Sequence, residues 1–557
     1  MKKVILFILL VISILSFTSC FYEIEYFFEN VFYFDDVHYK LARDGQSYYV
    51  SGSGFYHGGE VEIKNSYRGL PVTEIQSLRG KVPVKKVYIP ENVSDLSHGA
   101  FDIFYETVEW IEVSPDNPTY KSIDGNLYSK DGKTLIRYAP GKQDKNFVTP
   151  QSVLYHKSNA FSDCDNLEEI TFSDSVISIG TFPFIYCDNL RRINIGSGVK
   201  QLLGDDFMGC QSIDYISVSS RNPYLKSIDG DLYTKDGSML IRYASGKTES
   251  EFTIPDTVTA IGSAAFENSI SLQHINIPES VVAIETGAFR YCTGLKNIII
   301  PDSVEGETCQ WFKGCSSLET IVLGDNITAL YDYEFSDCIS LKSVTLPSST
   351  TVINEGMFRN CEALEEVILP EKLEVIESSA FNFCISLKRL YIPENVREIA
   401  PSAFISCFSL EYIEVAENNE YFKSVDGNLY TKDGKELVKY AVAKQDKSFN
   451  VPQGVEIIWP CAFEGNNYLK TISIPDTVTD IGRSAFVHCT ALESINIPKT
   501  VNEFGIDEML LGCTSLERID YDGTINEWHS MQYGYCGIHI QETTGFKIHC
   551  TDGVIEE

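Results

Sequence analysis

Apolar positions in this chain recur at an interval that neither a lone helix nor a lone strand produces. Phe266, Phe289, Phe312, Phe335, Phe358, Phe381 and Phe404 follow one another at a constant 23-residue spacing, and Cys292, Cys315, Cys338, Cys361, Cys384 and Cys407 each stand three residues after one of these Phe. A unit this short cannot bury its apolar face alone and must stack on copies of itself, so the period predicts a solenoid. Inside each unit a Leu-x-x-Ile-x-Ile core returns, starting at Leu295, Leu318, Leu341, Leu364, Leu387, Leu469 and Leu492. Its alternation predicts a strand whose flanking apolar residues point inward while the middle one faces out. Pro278, Pro301, Pro347, Pro370 and Pro393 follow these strands, where proline's missing donor does no harm. The Ala-Phe-x-x-Cys segment leaves room for a turn or two of helix.

The period breaks in three places. From Phe101 to Phe161, from Phe207 to Phe266 and from Phe404 to Phe463 the spacing more than doubles. Each gap holds one ordinary unit plus an insertion, at about 114–150, 219–254 and 416–452. The three insertions match one another, with Lys-Ser-Ile-Asp-Gly-Asn-Leu-Tyr in the first copy. Asp-Gly pairs such as Asp124-Gly125 and Asp131-Gly132 are tight-turn signals, so each insertion is expected to be a β-hairpin packed on the solenoid.

The full pattern, Leu-x-x-Ile-x-Ile-Pro-x-x-Val-x-x-Ile-x-x-x-Ala-Phe-x-x-Cys-x-x-Leu from Leu272 to Leu295, resembles the leucine-rich repeats of the BspA-like class. Similar repeats occur in surface proteins of anaerobic oral and gut bacteria, spirochaetes and some protozoan parasites. The resemblance implies a curved, α/β-type leucine-rich-repeat solenoid with a parallel sheet on one side. For many members it also implies an adhesive role at the cell surface.

Composition changes at both ends. Residues 1–19 have a positive start at Lys2 and Lys3, an apolar run to Phe17, and small residues before Cys20. This resembles a bacterial lipoprotein signal, in which Cys20 becomes the lipidated N-terminus, although Phe17 stands where Leu is usual. Plain secretion is the alternative. Residues 20–70, aromatic and then Gly-rich, are expected to cap the first repeat. Repeats are expected over 71–515. Residues 516–557 read as a second cap, with a capping box at Thr524 and Glu527 and a closing hairpin formed by 537–541 and 546–550.

Charge and motifs narrow the chemistry. Lys and Arg number 45 against 78 Asp and Glu, a formal net charge of −33, which repels phosphate backbones and argues against nucleic acid as a partner. No His-Glu-x-x-His or Gly-x-Ser-x-Gly occurs. Gly246-Lys247-Thr248 mimics the end of a phosphate loop, but Ile241 occupies the place of its first glycine. The Asp-Gly loops lack the ligand alternation of a calcium site. The expectation is therefore a protein with no catalytic residue, metal or cofactor.

Of the 16 cysteines, those three after a Phe anchor are expected to be buried filler, since in-register side chains point in parallel. Near the C-terminus, His529, Cys536, His539, His549 and Cys550 fall close together. Free thiols, a disulfide between Cys536 and Cys550, and a metal site are the alternatives there.

Binding is the remaining class. Most outward strand positions are polar, but Ile299, Val322, Ile368 and Tyr391, with Thr345 among them, predict an exposed apolar and aromatic stripe. The function expected is surface-anchored, non-catalytic adhesion. The partner would be a protein or glycoprotein, such as host extracellular matrix or another bacterial surface, with the membrane engaged through the lipid on Cys20. A structural, self-associating role in the cell envelope is the alternative.

Overall fold

One strand per repeat, hydrogen-bonded in parallel to the same strand of the next repeat, is the unit of construction. The computed structural model describes residues 37–53, 59–78, 84–97, 100, 107–501, 509–531 and 545–556. These fall into two compact units. One comprises residues up to 145 with 150–167 and 179–187, and the other comprises 146–149, 168–178 and 188 onward.

In the second unit, Glu251–Thr253, His274–Asn276, Asn297–Ile299, Thr320–Val322, Ser343–Thr345 and Glu366–Ile368 form a six-stranded parallel sheet. In the five strands from His274–Asn276 onward the central residue is buried and both flanks are exposed, as the alternation predicts. A second row of short parallel strands lies later in each repeat. It includes Ala260–Ile261 with Ala283–Ile284, and Val352–Ile353 with Val375–Ile376 and Glu398–Ile399.

The anchor phenylalanines fill the space inside. From Phe266 to Phe404 successive rings stack, with centroids 5.4 Å apart at Phe266–Phe289 and 5.3 Å at Phe358–Phe381. Stacking of this kind adds ~0.5–1.5 kcal/mol per pair beyond burial. The widest gap in the run, 6.1 Å, falls between Phe312 and Phe335.

From Cys292 to Cys407 each ladder cysteine hydrogen-bonds back across one repeat. The Cys315, Cys338, Cys361 and Cys384 thiols donate to the carbonyls of Phe289, Phe312, Phe335 and Phe358 respectively, each at 3.1 Å. The ladder is thus a column of small buried donors rather than a chain of bridges. Burial holds these thiols well above their usual range, to about 12 at Cys292 and Cys407.

The helical component implied by the α/β-type class is nearly absent. Residues two before and two after the anchor take left-handed φ values: Gly287 at 61° and Tyr291 at 57°, Ser379 at 57° and Phe383 at 61°. Two such residues so close together forbid a helix, so this side of the repeat is a train of turns. The helices that lie wholly within the described residues are one 3-10 turn, Gly204–Phe207, and one α-helix, Ile525–Met531. Thr524 and Glu527 form the expected capping box, with Thr524 N donating to Glu527 Oε2 at 2.7 Å and Glu527 N to Thr524 Oγ1 at 3.3 Å.

Each insertion contains three strands. Phe422–Val425, Asn428–Thr431 and Glu436–Lys439 pair antiparallel in order, and the last pairs in parallel with Ile457–Ile458. The hairpin therefore ends on a strand that serves as a rung of the second row. Leu225–Ile228, Asp231–Thr234 and Met239–Arg242 repeat this arrangement, as do Tyr120–Ile123, Asn126–Ser129 and Thr134–Arg137.

A buried asparagine opens each insertion. Asn419 donates through Nδ2 to Pro393 O at 2.8 Å and Val396 O at 2.9 Å, and its Oδ1 accepts from Tyr421 N and Phe422 N. Asn117 and Asn222 make equivalent bonds.

In the first unit, Tyr48–Ser53 pairs in parallel with Leu70–Ile75, and Glu60–Glu62 pairs in parallel with Lys86–Ile89 and that strand with Trp110–Val113. At the other end of the chain, Ser494–Ile497, Arg518–Tyr521 and Lys547–Cys550 continue the parallel sheet, and Gly553–Glu556 closes it antiparallel. Both edges of Lys547–Cys550 are thereby occupied, and residues 537–541, expected to form a closing hairpin, lie outside the described residues.

Candidate binding face

The outward side chains of the six-stranded sheet form rows, because parallel in-register pairing puts the same repeat position side by side. Ile299 pairs with Val322 and Thr345 with Ile368. Ile299, Val322 and Ile368 are 64%, 56% and 59% exposed, and Thr345 is exposed between them. Tyr391, also exposed, stands one repeat further on. The six-stranded sheet ends at Glu366–Ile368, and Tyr391 belongs to a separate two-stranded sheet of Arg389–Ile392 with Tyr412–Val415. Four of the five expected contact residues therefore share one sheet and the fifth opens the next.

A second row flanks the stripe and escaped the sequence reading. Directly after each repeat leucine stand Lys296, Glu319, Lys342, Glu365, Lys388 and Glu411, strictly alternating in sign. Lys342 Nζ lies 2.7 Å from Glu319 Oε2 and Lys388 Nζ 3.6 Å from Glu365 Oε2. Hydrogen bonding and the lysine charge hold the Glu319 carboxyl below its usual range and raise Lys342 in turn. Exposed pairs like these add little to stability, because water and salt screen them. Their larger effect is local neutrality beside an apolar stripe on a strongly acidic chain. The signal was present in the sequence, in the residue following each core leucine.

The remaining candidates lie elsewhere. Lys247, from the phosphate-loop mimic, places Nζ 2.8 Å from the buried carboxylate of Asp231 inside the second insertion. His549 and Cys550 share the strand Lys547–Cys550, while Cys20, Cys536 and His539 lie outside the described residues. Among the described residues no three His, Cys, Asp or Glu side chains are grouped to hold a metal, and no helix is long and apolar enough to cross a membrane.

The repeat geometry agrees with a family comparison. The model of the BspA type leucine-rich repeat region matches residues 141–235, 243–342, 307–425 and 439–547. The chain belongs to this BspA-type family. No curated protein matches it.

Several solved structures are similar to this BspA-type chain. One is a leucine-rich repeat protein from Eubacterium ventriosum, with 21% identity over 62% of this chain and 92% of that one, at a TM-score of 0.38. Another is a leucine-rich repeat protein from Bacteroides ovatus, with 20% identity over 88% and 99% and a TM-score of 0.31. A leucine rich cell surface protein from Faecalibacterium prausnitzii shares 20% identity over 76% and 100%, with a TM-score of 0.29.

Proposed function

We propose that this BspA-type protein is a surface-anchored, non-catalytic adhesion protein that binds a protein or glycoprotein partner through its sheet face. Host extracellular matrix or another bacterial surface is the kind of partner that fits. The observation that carries this reading is the stripe of Ile299, Val322 and Ile368, each more than half exposed on one sheet and extended by Tyr391. Large apolar side chains left in water along a rigid, in-register surface are the usual mark of an interaction site. The neutralised charge row beside them lets apolar contact and shape dominate over net charge. Tethering would come from a lipid on Cys20, supported by Lys2, Lys3 and the apolar run before it; secretion without a lipid is the alternative.

The test is a pull-down from host and bacterial surface extracts with the purified chain and with a variant carrying Ile299→Ser, Val322→Ser, Ile368→Ser and Tyr391→Ser. Captured partners should be lost from the variant while its melting temperature holds. Equal capture by a folded variant would remove the stripe from the account.

One observation favours self-association as a second reading. The row Lys-Glu-Lys-Glu-Lys-Glu has an even number of members and alternates, so a second copy laid antiparallel meets opposite charge at every position, Lys296 against Glu411 and Lys342 against Glu365. On this reading Lys296→Glu and Glu411→Lys variants would each be monomeric alone and would associate when mixed, as read by sedimentation velocity.

A further inference from the structure

Two pairs of strands far apart in the chain carry four outward side chains of matching type, a cation, a carboxylate and two aromatic rings, in the same register. In the first unit Lys86 pairs with Trp110 and Tyr88 with Glu112. In the second unit Arg389 pairs with Tyr412 and Tyr391 with Glu414. With strands ~4.8 Å apart, each set is a small square with two rings on one diagonal and a cation and a carboxylate on the other. Trp110, Tyr391 and Tyr412 are 42%, 42% and 43% exposed. Lys86 Nζ sits 2.6 Å from Glu112 Oε2.

In both cases the second strand is the last before an insertion, and the insertion fixes its ring. Gly125 and Gly427 have φ of +69° and +76°, and a Cβ on either would come within 2.6 Å of the Trp110 or Tyr412 ring. Each ring thus lies against bare backbone. Ile111 N donates to Gly125 O at 2.8 Å and Ile413 N to Gly427 O at 2.9 Å, while Ser122 and Ser424 bond the carbonyls of Ile111 and Ile413. One face of the ring is covered and held, and nearly half of the side chain stays in water. That is a preorganised platform, which lowers the ordering cost of binding.

The chemistry selects the ligand class. A flat, rigid ring takes the C–H face of a sugar, the carboxylate accepts from hydroxyls, and the Lys or Arg donates to them. Cation and carboxylate balance within each square, which complements a neutral, hydroxyl-rich ligand. A polyanion would meet both the carboxylate and a chain of net charge −33. We propose that Lys86, Tyr88, Trp110 and Glu112, and again Arg389, Tyr391, Tyr412 and Glu414, are two carbohydrate subsites for neutral hexose units of a glycan. The middle insertion holds a reduced version. There Tyr215 lies over Gly230 beside Arg192, but Asn194 and Ser217, hydrogen-bonded at 2.6 Å, replace the second ring and the carboxylate. The inference shares Tyr391 with the stripe proposed above and otherwise stands on different residues.

The experiment is calorimetric titration of the purified full chain with cellohexaose, laminarihexaose, mannohexaose and maltohexaose, with heparin as the polyanionic control. At least one hexaose should bind at two sites per chain. Trp110→Ala with Tyr412→Ala should weaken it about tenfold or more, each single change should remove one of the two sites, and Glu112→Gln with Glu414→Gln, which preserves shape, should also weaken it. Ile299→Ser, Val322→Ser and Ile368→Ser together should leave sugar affinity unchanged, so loss of a protein partner in that variant bears only on the earlier reading. The proposal is overturned by no hexaose binding up to about 10 mM, by preference for heparin over every hexaose, or by undiminished binding in the folded Trp110→Ala, Tyr412→Ala double variant.

Discussion

The Glu334 carboxylate accepts the backbone N–H of Trp311 at 2.9 Å from a position fully inside the core. Elsewhere along the unbroken run the residue before the anchor is usually a small alanine, as at Ala288 and Ala380, and the N–H of the anchor itself bonds the backbone of the next repeat. Here Trp311 fills space at the repeat where Glu307 replaces the core isoleucine. The Glu334 side chain does the bonding, and the Phe312–Phe335 gap is the widest in the run. Trp311 Nε1 is buried without a hydrogen-bond partner.

This carboxyl predicts a pH-dependent stability. Burial raises it to about 7 from the ordinary 4.5, and the groups around it, Thr308, Trp311 and the Cys315 and Cys338 thiols, carry no compensating positive charge. A folded-state value above the unfolded one means that the fold binds the extra proton. The stability contributed by this group is then fully present below pH ~4.5 and is lost as pH rises through 7, by on the order of 3 kcal/mol. Glu334→Gln keeps the acceptor for Trp311 N and removes the charge. Melting temperatures of the two proteins should coincide near pH 4.5 and diverge by pH 8, with the Gln variant higher; parallel curves across that range would refute the assignment.

Asn419 predicts a large local cost. Its side chain is fully buried and makes four hydrogen bonds, so Asn419→Ala leaves two carbonyls and two N–H groups without their partner at the start of the third insertion. The loss should be roughly 2–4 kcal/mol, measured by urea denaturation. Asn419→Asp should fail similarly, because it cannot donate to Pro393 and Val396.

The thiol ladder predicts resistance to oxidation and tolerance of a smaller donor. Cys338→Ser keeps a donor for Phe312 O and should cost less than Cys338→Leu, which overpacks the column by roughly 1–3 kcal/mol. In denaturant the ladder thiols should all titrate without reductant. Two further thiols appearing only after reduction would mark the bridge proposed between Cys536 and Cys550.

Asp-Gly turns under the exposed rings give a further check. Gly427→Ala adds a Cβ within 2.6 Å of the Tyr412 ring at a φ of +76°. It should destabilise by about 1 kcal/mol or more and displace the ring, visible as a changed near-ultraviolet circular dichroism signal. Gly454→Ala, also at positive φ but with open space around it, should carry the backbone cost alone and leave that signal unchanged.

Sequence by itself determined the repeat length, the alternation of inward and outward residues, the Phe column and the buried cysteines. Each of these recurs once per repeat, and a period is visible without coordinates. It also marked Ile299, Val322, Ile368 and Tyr391 as exceptions on the outward face. Three things were decided only by the tertiary structure. Left-handed residues on either side of the anchor turned the expected helical side into turns, because φ is not written in residue type when Tyr291 or Phe383 adopts it. Each insertion's last strand became a rung of the second row, since pairing partners such as Glu436 and Ile457 stand nearly a full repeat apart in the chain and fall outside any turn signal. Finally, Lys86 meets Trp110 and Arg389 meets Tyr412 only after stacking sets the register, because a whole repeat of chain separates side chains that the sheet brings to one strand spacing.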